Sequence, residues 1–273
     1  MGIFKKIKLP IIPSSKKIEN FFLNLGLSDL VEKSKTRDLN VNELIYKGIY
    51  KPELIDLYRL YKFVELNKRT TILEFGSGWS TLIFSLAMIQ NKNKYTNQIK
   101  NLRRNDPFKI FIVENEKKYL ETSKKRILKH FKKINKTSFL KKNVKFNYSK
   151  CKMKVFNGKI CTEYLNLPLC NPDFIYLDGP DQFNIKGKIN GISTSHPDMM
   201  PMVSDLLKIE FFLTPGTIIV TDGRGANAQF LQKNFQREWL YLYDKNFDQH
   251  IFYLNAPSLG KYNDKQIKFY KQN

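Results

Sequence analysis

Thr71-Ile72-Leu73-Glu74-Phe75-Gly76-Ser77-Gly78-Trp79-Ser80-Thr81 is the stretch whose reading decides the fold. It opens as a short buried strand, carries an acid, turns through two glycines and enters a helix that Phe84, Leu86 and Ala87 continue. Glycines at 76 and 78 allow a sharp turn and a close backbone approach to a ligand. A strand feeding a glycine turn and a helix N-terminus is how open α/β sheets build nucleotide sites.

Glu74 bears on which nucleotide. A dinucleotide site calls for a third glycine where this chain has Thr81, and a pyrophosphate over the helix N-terminus. A carboxylate two residues before the first glycine would repel that pyrophosphate. It suits instead a ligand with an ammonium and a sulfonium. On these residues the sequence resembles class I S-adenosylmethionine-dependent methyltransferases, whose first motif is an acid followed by G-x-G. The bland alternative is a strand–turn–helix that holds no ligand.

The order of parts along residues 53–254 agrees with the resemblance. Lys109 to Asn115 reads as a second strand with Glu114 at its tip, placed to accept ribose hydroxyls. The polar, basic stretch Asn91 to Pro107 reads as an insertion or long loop. Asn143 to Tyr148 is a third strand, and the resemblance puts the following Ser149 near an adenine. Pro172 to Pro180 and Gly216 to Gly223 are two more strands, ending in Asp178 and Asp222. Trp239 to Tyr243 and Ile251 to Leu254 form a terminal hairpin. The implied fold class is α/β, a doubly wound Rossmann-like seven-stranded sheet of five parallel βα units plus a C-terminal antiparallel hairpin. Helices are expected over Pro52 to Leu66, over Glu116 to Ile134 with a lysine-rich outer face, and over Pro201 to Phe212 with Met202, Leu206, Leu207 and Phe211 inward.

Three regions follow: an N-terminal basic, helical appendage over 1–50, the methyltransferase-like domain over 51–256, and a C-terminal tail over 257–273. Lys17 to Lys33 reads as one or two capping helices. No transmembrane segment or cleavable leader is evident, since the apolar run at Ile3 to Ile12 is too short to span a bilayer. Cys151, Cys161 and Cys170 are odd in number and too widely spaced for a C-x-x-C site. They read as free thiols of a reducing compartment, the cytoplasm. Asn157-Gly158 marks a hairpin between them, extra to the minimal fold and suited to a wall or an oligomer contact.

The net charge of +22 admits nucleic acid as a partner. The lysines are spread through the chain and far outnumber the arginines that read phosphates and bases. The composition therefore fits a solvated basic surface better than an RNA groove.

Asp178 and Asp222 stand at the carboxyl edge, where such sheets bind ligands. Two roles are open to the pair. They could chelate a divalent cation such as Mg²⁺, as in the catechol-type O-methyltransferases this arrangement resembles. That family has Asn directly after the second Asp, where this chain has Gly223, with Asn227 as the nearest substitute. Alternatively one of them acts as base or substrate anchor, and the bland reading is that both cap turns. The polar stretch Gly179 to Pro201 reads as a substrate loop, with His196 as the general base favoured by residue type. Arg224 could bind a substrate carboxylate or phosphate, or pair with Asp222 or Asp178. Asn171-Pro172-Asp173-Phe174 stands before its strand, not after it as in amino-group methyltransferases. The resemblance thus implies S-adenosylmethionine held by Glu74, Gly76, Ser77, Gly78, Ser80, Glu114, Ser149 and Asp178. Asp178, His196, Asp222 and Arg224 would serve catalysis. The implied acceptor is a small-molecule or sugar hydroxyl, the alternatives being an RNA methyltransferase or a non-catalytic interaction protein on the same fold.

Overall fold

The computed structural model describes residues 2–39, 43, 51–194, 196 and 198–271. Positions 195 and 197 of the predicted substrate loop, and part of the 1–50 appendage, lie outside the described residues. The main sheet contains β1 (Thr71–Phe75), β2 (Lys109–Glu114), β3 (Val144–Tyr148), β6 (Phe174–Leu177), β7 (Ile218–Asp222), β8 (Trp239–Asp244) and β9 (Gln249–Leu254). Between β3 and β6 the separate hairpin of β4 (Cys151–Phe156) and β5 (Lys159–Tyr164) stands apart from that sheet. Sheet order is β3-β2-β1-β6-β7-β9-β8. The first five are parallel, β9 runs antiparallel to β7, and β8 antiparallel to β9. This is the doubly wound Rossmann-like sheet that the resemblance implies.

β1 is buried on both faces, as parallel strands covered by helices must be. Ile72, Ile112, Tyr176 and Val220 pack on one side, under the helices Leu54–Leu66, Trp79–Ile99 and Lys117–Lys133. Leu73, Val113, Ile175 and Ile219 pack on the other, with the helix Gly225–Asn234 and the inner face of the β4–β5 hairpin. The Asn157-Gly158 turn has both residues at positive φ, +48° and +73°, the conformation a two-residue hairpin requires. Ser15–Asn24 and Ser28–Ser34 are the two appendage helices, and their buried Ile18, Phe22, Leu30 and Val31 join the core. Among the described residues no helix is long and apolar enough to cross a membrane.

Two expectations change. The helix after β1 runs on to Ile99, so the first half of the expected 91–107 loop is helical. Asn91 is buried there and donates to the carbonyls of Val64 and Arg69, while Ile99 is core. The polar residues from Asn93 to Gln98 are the solvent face of this helix, and Asn91 alone serves buried carbonyls. Pro201 to Phe212 holds only the short helix Asp205–Ile209 and a 3₁₀ turn at Glu210–Phe212. The tighter turn rotates Phe211 outward, 67 % exposed, and buries Glu210 instead. The Glu210 carboxylate accepts from the backbone N–H groups of Gln236 and Arg237 and from Trp239 Nε1, which fixes the entry to β8.

Asp173 is structural. Fully buried before β6, it accepts from Thr70 N, Thr71 N, Thr70 Oγ1 and Tyr270 Oη, with Arg104 at 3.5 Å. It thus ties the amino ends of β1 and β6 to the C-terminal helix Lys261–Lys271. Asp173→Ala strands several buried donors and should cost about 3–5 kcal/mol in urea unfolding. Tyr270→Phe removes one bond and should cost only about 1 kcal/mol. Equal losses in the two variants would show that the carboxylate is not the hub.

Candidate functional site

In parallel register Glu74 lies beside Ile112 and Tyr176, and Tyr176 beside Val220. Side chains two residues apart share a sheet face. Glu114 and Asp222 therefore stand one pleat further along the same face, and Asp178, just past β6, continues it. Four carboxylates from four adjacent strands line one face of the carboxyl edge. Strand order reverses between β1 and β6, so the row crosses the topological switch point, where open α/β sheets take ligands.

The glycine turn makes this edge compact. Gly76 has φ +96°, and a Cβ there would press on the Asp178–Gly179 backbone at 3.1 Å. A Cβ on Gly179 would meet Gly76 N at 2.6 Å and Tyr164 Oη at 2.5 Å. Gly78 differs: its φ of −165° suits any residue, and a Cβ there would meet only Ser80 Oγ at 3.7 Å. What Gly78 leaves is open space above the helix N-terminus.

Glu74 is fully buried; Ser80 Oγ donates to its Oε1 at 2.5 Å, and its Oε2 has no partner among the described residues. Burial pushes its carboxyl up to about 8, opposed by the Ser80 bond and by the Thr81 hydroxyl nearby. Glu114 accepts from Ser77 Oγ at 2.8 Å and Glu116 N at 2.9 Å, one bond per oxygen, and burial raises it to about 7. Each oxygen keeps a free lone pair. Ser149 donates its N–H to the Glu114 carbonyl and accepts from Asn166 N.

Asp178 is the most open of the row, its side chain 51 % exposed. The enclosing protein raises its carboxyl, and Arg224 pulls it back. Arg224 Nη2 donates to the carbonyls of Asp178 at 2.7 Å and Pro180 at 3.1 Å, and Nε lies 3.7 Å from the Asp178 carboxylate. Of its two expected roles, the geometry gives the pairing with Asp178; Arg224 braces the turn. Asp222 is pushed to about 8, by burial first and then by Asp56, Asp178, Glu53 and Asp248. Beneath it, buried Arg59 donates to Asp244 at 2.7 Å and Gln249 at 2.8 Å and stacks 3.8 Å from the Phe247 ring.

His196 lies on the loop that follows Gly179. Its imidazole is 60 % exposed, and Nδ1 accepts from Asp198 N on its own loop. Asn227 is buried, with Oδ1 accepting from Val203 N, so it does not replace the asparagine that follows the second Asp in catechol-type enzymes. Among the described residues no three His, Cys, Asp or Glu side chains converge as a metal site.

Sequence reasoning passed over Asn115, Tyr164, Asp56 and Gln249. Asn115 follows the strand-tip acid and could have been suspected, since its Oδ1 accepts from Asp181 N and so joins β2 to the substrate loop. Asp56 lies in the first turn of an amphipathic helix with nothing to set it apart. Tyr164 and Gln249 reach the edge only through tertiary pairing.

No family model and no curated protein matches the chain. Among solved structures, an SAH-bound methyltransferase of Podospora anserina is 14 % identical, covering 90 % of this chain and 99 % of that one, with TM-score 0.43. A TDP-rhamnose 3'-O-methyltransferase of calicheamicin biosynthesis is 11 % identical over 93 % and 99 %, with TM-score 0.43. An O-methyltransferase from Streptomyces achromogenes is 12 % identical over 93 % and 94 %, with TM-score 0.38. Likeness at this level carries no argument about activity, which rests on the site residues.

The raised Asp222 fixes a sign. A carboxyl near 8 when folded and near 4 when unfolded keeps its proton only in the fold between those values, so its contribution to stability falls as pH rises from about 4 to about 8. Asp222→Asn should therefore be more stable than wild type by about 1–3 kcal/mol at pH 8, and equal to it near pH 4. A difference independent of pH, measured by urea unfolding across that range, would contradict the assignment.

Proposed function

We propose that the protein is an S-adenosylmethionine-dependent methyltransferase acting on a hydroxyl of a small molecule or sugar. The observation that carries this reading is the buried, unpartnered Oε2 of Glu74 beside the Gly76 turn, in line with Glu114 on the same sheet face. An unsatisfied buried carboxylate oxygen fits a cationic donor such as the methionine ammonium. Glu114, with one free lone pair on each oxygen, fits a ribose diol, and Ser149 adjoins it on the nucleoside side. Gly78 leaves room above the helix N-terminus that a side chain would fill.

When bound, this cofactor supplies an electrophilic methyl group and leaves as a neutral thioether. Asp222 would take the acceptor's proton; a base with a pKa near 8 is matched to neutral or mildly alkaline operation. Asp178, held by Arg224 through its own carbonyl, would orient the acceptor at the switch point. The polar loop after Gly179 supports a polyhydroxylated acceptor.

Calorimetry with S-adenosylhomocysteine tests the reading. Wild type should bind in the micromolar range, and Glu74→Gln and Glu114→Gln should each lose about tenfold or more. An arriving ammonium should also strip the proton from Glu74, so the heat at pH 7 should vary with the buffer's ionisation enthalpy. Folded wild-type protein with no measurable binding would sink the reading.

A further inference from the structure

The C-terminal helix Lys261–Lys271 has an inner face tied to the core and an outer face of different chemistry. Asn263, Gln266, Phe269 and Tyr270 are buried against the protein. Asn263 Nδ2 donates to Pro215 O at 3.1 Å, Gln266 Nε2 to Arg103 O at 2.9 Å, and Tyr270 Oη to Asp173 at 2.9 Å. The helix is thus clamped across the segments that enter β2, β6 and β7, at the amino end of the sheet. The carboxylate row lies at the other end, about 17–20 Å away along a strand of five or six residues.

On the outer face Lys261, Lys265 and Lys268 recur at i, i+4 and i+7, one exposed stripe, with Lys271 beside it. Lys100 and Arg103, on the segment that Gln266 holds, add two more exposed cations. Among the described residues no carboxylate lies within ion-pair distance of these six. Asp264 is the helix's one acid, and Asp106 on the neighbouring loop is taken by Lys109. Apolar groups adjoin the stripe at the helix start. Leu259 is 66 % and Tyr262 46 % exposed, and Lys261 Nζ and the Arg103 guanidinium lie 5.2 and 5.3 Å from the Tyr262 ring centroid. Polybasic clusters of this size on an amphipathic helix are drawn to the anionic leaflet of a membrane. Tyrosine suits the headgroup level, where its ring is covered and its hydroxyl stays wet. A nucleic-acid track calls instead for a groove with aromatic faces open to stacked bases. This surface is the outside of a helix, and its one tyrosine ring is flanked by cations.

We propose that the outer face of this helix docks the protein on an anionic lipid bilayer. The helix's apolar face is spent on the core, so it lies on the headgroups without entering the hydrocarbon. The lysines carry the attraction, Leu259 and Tyr262 add shallow anchors, and the carboxyl edge at the far end of the sheet stays open to water. The docking holds whether or not that edge transfers methyl groups.

The test is co-sedimentation of the chain with vesicles of phosphatidylcholine containing about one-quarter phosphatidylglycerol, in about 0.1 M salt. Wild type should bind these and not pure phosphatidylcholine, and about 1 M salt should release it. Lys261→Gln/Lys265→Gln/Lys268→Gln should weaken binding by about tenfold or more. Leu259→Ser/Tyr262→Ser leaves the charge unchanged and should weaken it by about threefold or more. Lys125→Gln/Lys132→Gln/Lys136→Gln removes three exposed charges from another surface and should stay within about twofold of wild type. Every substituted side chain is exposed, and unchanged urea midpoints report that the variants are folded. Equal loss in the two triple variants, or full binding by Leu259→Ser/Tyr262→Ser, would overturn the surface as plain polyanion attraction. Wild type that ignores the anionic vesicles would overturn it outright. A single-stranded RNA oligonucleotide that binds more tightly than the vesicles in the same salt, and loses that affinity in Lys261→Gln/Lys265→Gln/Lys268→Gln, would reassign the face to nucleic acid.

Discussion

The site depends on the contact between Gly76 and Gly179. The chain leaves β1 and β6 at adjacent carboxyl ends, and strand order reverses between them, so two turns must share one narrow space. Gly76 N–H reaches across to Val113 O at 2.8 Å, and Asp178 N–H reaches back to Phe75 O at 2.9 Å. The Asp178 bond draws the two turns together until neither has room for a Cβ, while the Val113 bond fixes the Gly76 turn to β2. Overpacking here would move Asp178 and the start of the Trp79–Ile99 helix together. Tyr164 sits beneath the contact, and Arg224 and Asn115 hold the strand-exit backbone from opposite sides through Pro180 O and Asp181 N. The contact therefore sets the spacing of everything that faces a ligand.

Electrostatics at this edge run against the rest of the molecule. The chain carries +22 overall, yet Glu74, Glu114 and Asp222 are all pushed to about 7 or 8, by burial first and then by neighbouring carboxylates. Among the described residues Arg59 and Arg224 are the cations that reach the row, and both spend donors elsewhere, on Asp244 and Gln249 or on backbone carbonyls. A carboxylate row left short of cations in a lysine-rich protein is unfavourable for folding, and it persists here at the switch point. A cationic ligand relieves that cost. This gives the row a reason that turn capping alone does not, since capped turns need no carboxylate without a partner.

Much of this was legible in the chain. Strand apolarity, the E-x-G-x-G turn and the acids ending three later strands were enough to place Glu74, Glu114, Asp178 and Asp222 on one edge, because parity and parallel register then dictate a common face. Gly76 was readable as a tight turn, but the reason for it, the Gly179 backbone, lies a hundred residues away. Asn91 was misread because a buried polar side chain that serves backbone carbonyls looks like a loop residue in composition. Phe211 was misplaced because a 3₁₀ turn changes the period from 3.6 to 3 within one turn. Asp173 was weighed as part of a motif, and its partners Thr70, Thr71 and Tyr270 could not be read from spacing.

On the proposed function, cofactor chemistry and acceptor chemistry would be carried by different parts of the chain. Glu74, Ser80 and Glu114 sit on or directly after core strands and are fixed by the sheet itself. Tyr164 and Lys186 belong to the β4–β5 insertion or to the loop bridged onto it, outside the seven-stranded sheet. Two backbone bonds at Lys186, and the pair formed by Thr162 with Met202 and Ser204, stitch the insertion to the segment between β6 and β7. That segment is thus tied both to the hairpin and, through Val203, Leu206 and Leu207, to the core. Tyr164 of the hairpin lies under the Gly76–Gly179 contact and packs on the Phe75 ring, so changes in that part of the hairpin reach the Gly76 turn, as changes in β1 or β2 do. Asn115 also joins the two parts: its Oδ1 holds the loop through Asp181 N, and its backbone directly follows Glu114. Substitution there should register in both halves of the site.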